Sequence, residues 1–204
     1  MKVFLLRHGE IERGRENRLI AQVDLPLNQI GKDQARWWRN KLERVAFRQI
    51  YCSPLIRALH TAEIMASGTS SSITVLPHLR EVNLGHWDGL TVAEVKTRFP
   101  EEWEQRGLNI HEYRPAGGES FADLSDRVVP VLNQVVNDSE DTVLIVSHAG
   151  VNRVILCHVL GISLDGLFRL RQDYGALNII EHSDDLWRVC LMNLKPLSTW
   201  ALPA

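Results

Sequence analysis

The sequence predicts an α/β protein, a three-layer sandwich around a mostly parallel central sheet. Two observations carry this. Short runs rich in Val, Ile, Leu and Phe alternate along the 204 residues with longer segments of helical period. One of the runs, "TVLIVS" at 142–147, is apolar almost throughout, as a central parallel strand covered on both faces should be.

The elements follow in order. "KVFLLR" (2–7) is a short apolar strand. Residues 8–30 carry Gly9, Gly14, Asp24, Pro26 and Asn28 without a period and read as a loop. Ala35, Trp38, Leu42 and Val45 recur three or four apart and predict an amphipathic helix over 31–46. "FRQIYCS" (47–53) is the second strand. In the helix that follows, Ser53 is the expected N-cap and Pro54 the expected first helical residue. "ITVLP" (73–77) is a third strand. Residues 120–136 form a helix with Phe121, Leu124, Val128, Leu132 and Val135 on one face. Ser120 and Asp123 resemble a capping box, and Pro130 is expected to kink the helix. After strand 142–147, "GVNRVILCHVLG" (150–161) is a helix closed by Gly161. "ALNIIEH" and "LWRVCLM" pair as a hairpin over "SDD". The Trp- and Gly-rich stretch at about 82–119 reads as an insertion over one end of the sheet within a single domain, 1–204.

A net charge of −2 excludes a global attraction to nucleic acid or an acidic membrane, so anion binding must come from local cations. Cys52, Cys157 and Cys190 form no CxxC pair and read as buried thiols, each in an apolar segment. No run is long enough for a membrane span or a signal peptide, which makes a cytoplasmic protein the expectation. The sequence carries no HExxH motif or Cys/His ligand cluster, and a homodimer is compatible with the chain.

Polar residues cluster just past the strand ends. Arg7 and His8 follow the first strand, Ser53 and Arg57 the second, Glu81 the third and His148 the fourth. In open α/β sheets the carboxyl ends of parallel strands share one edge, and ligands bind there. The two arginines suit a phosphate, and the helix that opens at Ala149 or Gly150 offers backbone N–H groups to an anion. A neutral imidazole can attack phosphorus, and a nearby carboxyl can protonate a leaving oxygen. Arg18, in the charge run 12–18, lies close enough in sequence to the same loop to reach a phosphate ester.

"LLRHGE" (5–10), "SPLIRALHTA" (53–62), "LREVNLGHWDG" (79–89), "PAGGES" (115–120) and "VSHAGV" (146–151) together resemble the histidine phosphatase superfamily, phosphoglycerate mutase-like, over about three quarters of the chain. The resemblance implies that His8 becomes phosphohistidine and that Glu81 is the acid and base. It also implies that Arg7, Arg57 and His148 bind the phosphoryl group, with Ala149 beside it. It implies no metal or other cofactor, in agreement with the lack of a ligand motif. Many members carry a Thr and an Asn where this chain has Ile11 and Gly14, and Asn17 is the candidate to replace that phosphate contact.

True mutases carry a longer basic segment after the acid residue. The compact "EVNLGHWDGLT" (81–91) instead looks like the phosphatase branch, and "FRLRQDYGALNIIEH" (168–182) is similar to alpha-ribazole-5'-phosphate phosphatases of cobalamin assembly. The expected partner is a small phosphorylated substrate. The insertion is expected to offer aromatic rings and few clustered cations, which suits one phosphate on a flat base; Trp87 either stacks that base or packs the insertion. A broad-specificity or fructose-2,6-bisphosphatase-like phosphatase, a phosphoglycerate mutase, and a non-catalytic phospho-ligand binding module stay open.

Overall fold

In the computed structural model, which describes residues 1–12, 16, 18–139 and 141–196, six strands form one sheet in the order β3-β2-β4-β1-β5-β6. The strands are β1 (Lys2–Arg7), β2 (Gln49–Cys52), β3 (Ser72–Val75), β4 (Val143–Ser147), β5 (Leu177–Ser183) and β6 (Leu186–Leu194). β1 to β4 are mutually parallel, and β5 and β6 add an antiparallel hairpin beside β1.

Alternation along β1 and β4 builds two cores. Val3, Leu5, Val143 and Ile145 face α5 (Phe121–Asn137) and α6 (Ala149–Leu160), meeting Leu124, Val128, Leu132, Val151 and Ile155. Phe4, Leu6, Leu144 and Val146 face α1 (Gln29–Lys41) and α2 (Ile56–Ala66), meeting Trp38, Ala58, Ala62 and Met65. With both faces covered, β4 is buried at every residue. The three layers are those expected.

Several details differ from expectation. α1 starts at Gln29 because Asn28 caps it, its side chain accepting from the Gly31 N–H, and its regular part ends at Lys41. Ser53 and Pro54 do not open α2. The chain bends at Pro54 and Leu55 before the helix, and Asp24 Oδ1 from a distant loop accepts from the Ile56 N–H at 2.7 Å. The Ser53 hydroxyl instead accepts from the Leu55 N–H at 3.3 Å and lies 2.7 Å from His148 Nε2. Pro130 lies inside a continuous α5 on its solvent side, where water can satisfy the carbonyl deprived of its N–H partner. Cys190 is exposed, because on edge strand β6 it occupies an outward-facing position; Cys52 and Cys157 are buried.

The stretch after Glu81 folds into a short 3₁₀ turn (Gly85–Trp87), α3 (Val92–Arg98) and α4 (Pro100–Leu108). Trp87 is fully buried and stacked on Tyr113, with ring centroids 5.6 Å apart, so it packs this segment rather than facing a ligand. No described helix is long and apolar enough to cross a membrane.

Candidate active site

Parallel strand ends deliver the central groups. β1 and β4 pair with Arg7 opposite Ser147, so His8 and His148 leave the sheet edge together, their ring centroids 5.0 Å apart. β2 flanks β4 on the other side, with Cys52 opposite Val146, and places Ser53 beside them.

His8 is only 3% exposed and is held on both sides. Its N–H donates to the Ser147 carbonyl, and its own carbonyl accepts from the Gly175 N–H. Nδ1 lies 2.8 Å from the Gly9 carbonyl oxygen. A carbonyl can only accept, so Nδ1 carries the proton and Nε2 keeps its lone pair. Burial, then the positive charges of Arg7 and Arg57, holds the His8 pKa well below 6.5. The ring is therefore neutral near pH 7.

His148 is fully buried, with Nε2 2.7 Å from Ser53 Oγ. Its Nδ1 has no hydrogen-bond partner among the described residues. Burial first, then the neighbouring His8 ring when protonated and the Arg57 charge, lowers its pKa as well.

Glu81 closes the group from the α6 side. Both carboxylate oxygens lie 3.1 Å from the Gly150 amide, and Oε1 also accepts from the Val82 N–H at 2.9 Å. The carboxylate thus rests against the first backbone N–H groups of α6, which have no partner within the helix. This approach requires glycine: a Cβ on Gly150 would sit 2.4 Å from Glu81 Oε1. Ala149 is the first residue of α6 and is buried.

The two arginines are placed differently. The Arg7 guanidinium lies 3.7 Å above the Tyr174 ring, and Nη1 donates to the Gln172 carbonyl at 2.7 Å. Arg57 is buried, with Nη2 donating to the Ala21 carbonyl at 2.6 Å and Nη1 to Val23 at 2.9 Å. Arg18 reaches the Gly89 carbonyl with Nη1 at 2.8 Å and pairs with Glu16 and Glu94. Asn17 lies outside the described residues. Among those described, no cluster of three or more His, Cys, Asp or Glu is placed to hold a metal ion.

The family model for the histidine phosphatase superfamily (branch 1) matches residues 3–195. The chain belongs to that superfamily. It is 30% identical over 192 residues to Phosphoserine phosphatase 1 of Hydrogenobacter thermophilus, covering 94% of this chain and 90% of the relative. It is 33% identical to the Bifunctional protein Rv2228c of Mycobacterium tuberculosis, covering 94% of this chain but 53% of that longer protein. The crystal structure of a putative alpha-ribazole-5'-P phosphatase from Escherichia coli superimposes with a TM-score of 0.88 at 25% identity, covering 95% of this chain and 96% of that one. The chain is thus an enzyme, a phosphoric monoester hydrolase with the phosphoglycerate mutase-like fold.

In this histidine phosphatase a cleft of about 240 Å³ opens over the centre, with Arg7, Glu81, Gly150 and Tyr174 in its lining. The insertion contributes one arginine to it, Arg106, in keeping with the expectation of few cations there. Arg18 and Arg153 add further cations to the cleft, from the β1–α1 loop and from α6.

Several supporting residues escaped the sequence reading. The Asp88 carboxylate accepts from the amides of Ala21, Gln22 and Val23 at 2.7–2.8 Å, which shapes the loop whose carbonyls hold Arg57. Gln22 Nε2 and Arg127 Nη2 both donate to the Glu81 carbonyl and fix its backbone. Beneath Arg7, a buried chain of hydrogen bonds links Ser147, Asn152, Gln172 and Asn178. It fixes Gln172, the carbonyl partner of Arg7. The signals were present only as residue types: Asp88 stands inside a motif, and Gln172 and Asn178 are polar residues in otherwise apolar surroundings.

Proposed function

We propose that this enzyme hydrolyses a compact phosphate monoester through a phosphohistidine on His8. His8 Nε2 attacks phosphorus as the bond to the ester oxygen breaks. Glu81 supplies the proton that the leaving oxygen needs. Glu81 then takes a proton from water, whose oxygen attacks phosphorus as the N–P bond breaks, and the electron pair returns to Nε2. Arg7 and Arg57 stabilise the charge on the phosphoryl oxygens. The His148 Nδ1–H donates to the same group when the Ser53 hydroxyl donates to Nε2. The Ala149 amide supports the same anion at the opening of α6.

The observation that carries this reading is the tautomer of His8: a buried, neutral imidazole whose proton is tied to Gly9 and whose other nitrogen keeps its lone pair. A module that only bound phosphate would gain more from a protonated ring. A second reading names the substrate as α-ribazole 5'-phosphate, which would place the enzyme in cytoplasmic cobalamin assembly. The resemblance to the putative alpha-ribazole-5'-P phosphatase favours it.

The leaving-group dependence of Glu81→Gln tests the chemistry. An alkoxide needs the proton and p-nitrophenolate hardly does. Dephosphorylation needs the base for both substrates. Formation of phosphoenzyme from p-nitrophenyl phosphate should therefore persist in the variant, while formation from an alkyl phosphate falls by about 100-fold or more. Equal losses on the two esters would remove Glu81 from the acid role.

A further inference from the structure

Two guanidinium groups in the cleft have no ion-pair partner among the described residues. Arg106, on α4, is half-buried and has no hydrogen bond or ion pair among the described residues; its neighbours are the rings of Trp103 and Phe168, at 5.5 and 5.4 Å. Arg153, on α6, is also half-buried. Its Nε donates to the Leu170 carbonyl at 2.9 Å, and its guanidinium carbon lies 5.2 Å from the same Phe168 ring. Neither has a carboxylate within ion-pair distance among the described residues. Arg18, the other added cation, is paired with Glu16 and Glu94.

Among the described lining residues Glu81 is the single carboxylate, and it is committed to the α6 N-terminus. Burial lowers the pKa of both Arg106 and Arg153, while Glu81 acts in the opposite direction on Arg153. Two partly desolvated cations on the wall of one cleft, neither with a carboxylate at ion-pair distance among the described residues, suit an anionic group of a ligand. Planar forked donors suit a carboxylate or a phosphate in particular. The cleft, at about 240 Å³, is smaller than the ~300–1,000 Å³ usual for drug-sized ligands, so the anion must belong to a compact substrate.

We infer that Arg106 and Arg153 bind a second anionic group on the leaving-group side of the substrate, so that the preferred ester is a small molecule carrying a carboxylate or a second phosphate besides the group transferred. This rests on the phosphomonoesterase reading and deepens it. Phe168 supplies the surface that holds both guanidinium groups in place.

Matched esters test it. 3-Phosphoglycerate and glycerol 3-phosphate differ at one carbon, carboxylate against hydroxymethyl. Fructose 1,6-bisphosphate and fructose 6-phosphate differ by a second phosphate. The wild type should show kcat/KM at least tenfold higher for the doubly anionic member of one pair, and the pair that shows it identifies the anion. In Arg106→Gln that preference should shrink at least tenfold, mainly through KM, and Arg106→Lys should restore part of it. Arg153→Lys, which keeps the charge but not the fork, should weaken it less. Equal kcat/KM within both pairs, an equal loss on both members in Arg106→Gln, or a clear preference for α-ribazole 5'-phosphate over all four would overturn the inference. Those results would leave the phosphohistidine chemistry intact, whereas failure to turn over any ester, p-nitrophenyl phosphate included, would defeat the reading beneath it.

Discussion

Gly150→Ala tests how the acid is held. The added Cβ would stand 2.4 Å from Glu81 Oε1 and 3.3 Å from its Cδ, whereas ordinary contact begins near 3.4 Å. The Gly150 amide belongs to α6 and cannot retreat, so the carboxylate must move by roughly 1 Å and give up its amide bonds. Misplacing a reacting group by that much costs about 100-fold in rate. Replacing a helical glycine with alanine otherwise stabilises by about 0.5–1 kcal/mol, and the melting temperature should stay within about 2–4 °C of wild type. The assay is kcat/KM on an alkyl phosphate and on p-nitrophenyl phosphate, alongside thermal melting. The expected result is a folded protein with a large loss on the alkyl ester and a smaller one on the aryl ester. Wild-type kcat/KM on the alkyl ester would refute the argument, because it would mean that the Glu81 carboxylate does not act from its seat on Gly150.

Two further predictions concern the surroundings of the histidines. Asp88→Ala removes three charge-assisted bonds to the Ala21–Val23 loop and should raise KM and weaken vanadate inhibition about tenfold or more by releasing Arg57, at about 1.5–3 kcal/mol per bond before relaxation; unchanged vanadate affinity would sever that link. His8 and His148 are both held below 6.5 when folded, so between that value and their folded pKa the unfolded chain binds more protons. Stability should therefore be constant with respect to these rings above pH 6.5 and fall as the pH drops below it. The wild-type melting temperature should decline from pH 6.5 to 5 more steeply than that of His8→Asn, and parallel curves would show that burial of the His8 ring contributes nothing to that slope.

The strand-end residues were legible because an apolar run that ends in Arg-His or Ser-His has few structural uses for those side chains, and parallel pairing brings such ends together. The same logic set Arg7, His8, Arg57, Glu81 and His148 on one sheet edge; the carbonyls of Ala21 and Val23 that hold Arg57 were not foreseen. Ser53 was misread because an N-cap signal is local, whereas its hydroxyl is used by His148 from a neighbouring strand and the helix is capped by Asp24 across space. The Asp88 loop and the Gln172–Asn178 network depend on contacts between distant segments that no periodicity encodes. Arg106 and Arg153 come from different helices, and only their approach to Phe168 shows that a segment poor in cations borders a cleft rich in them.

The central claim is the covalent intermediate on His8. Wild-type enzyme mixed rapidly with labelled p-nitrophenyl phosphate, quenched, and digested under alkaline conditions should yield one phosphorylated peptide containing His8. The label should be stable to base, lost in acid and absent from His8→Ala. Label on another residue, such as His148, or turnover by His8→Ala at the wild-type rate, would contradict the account.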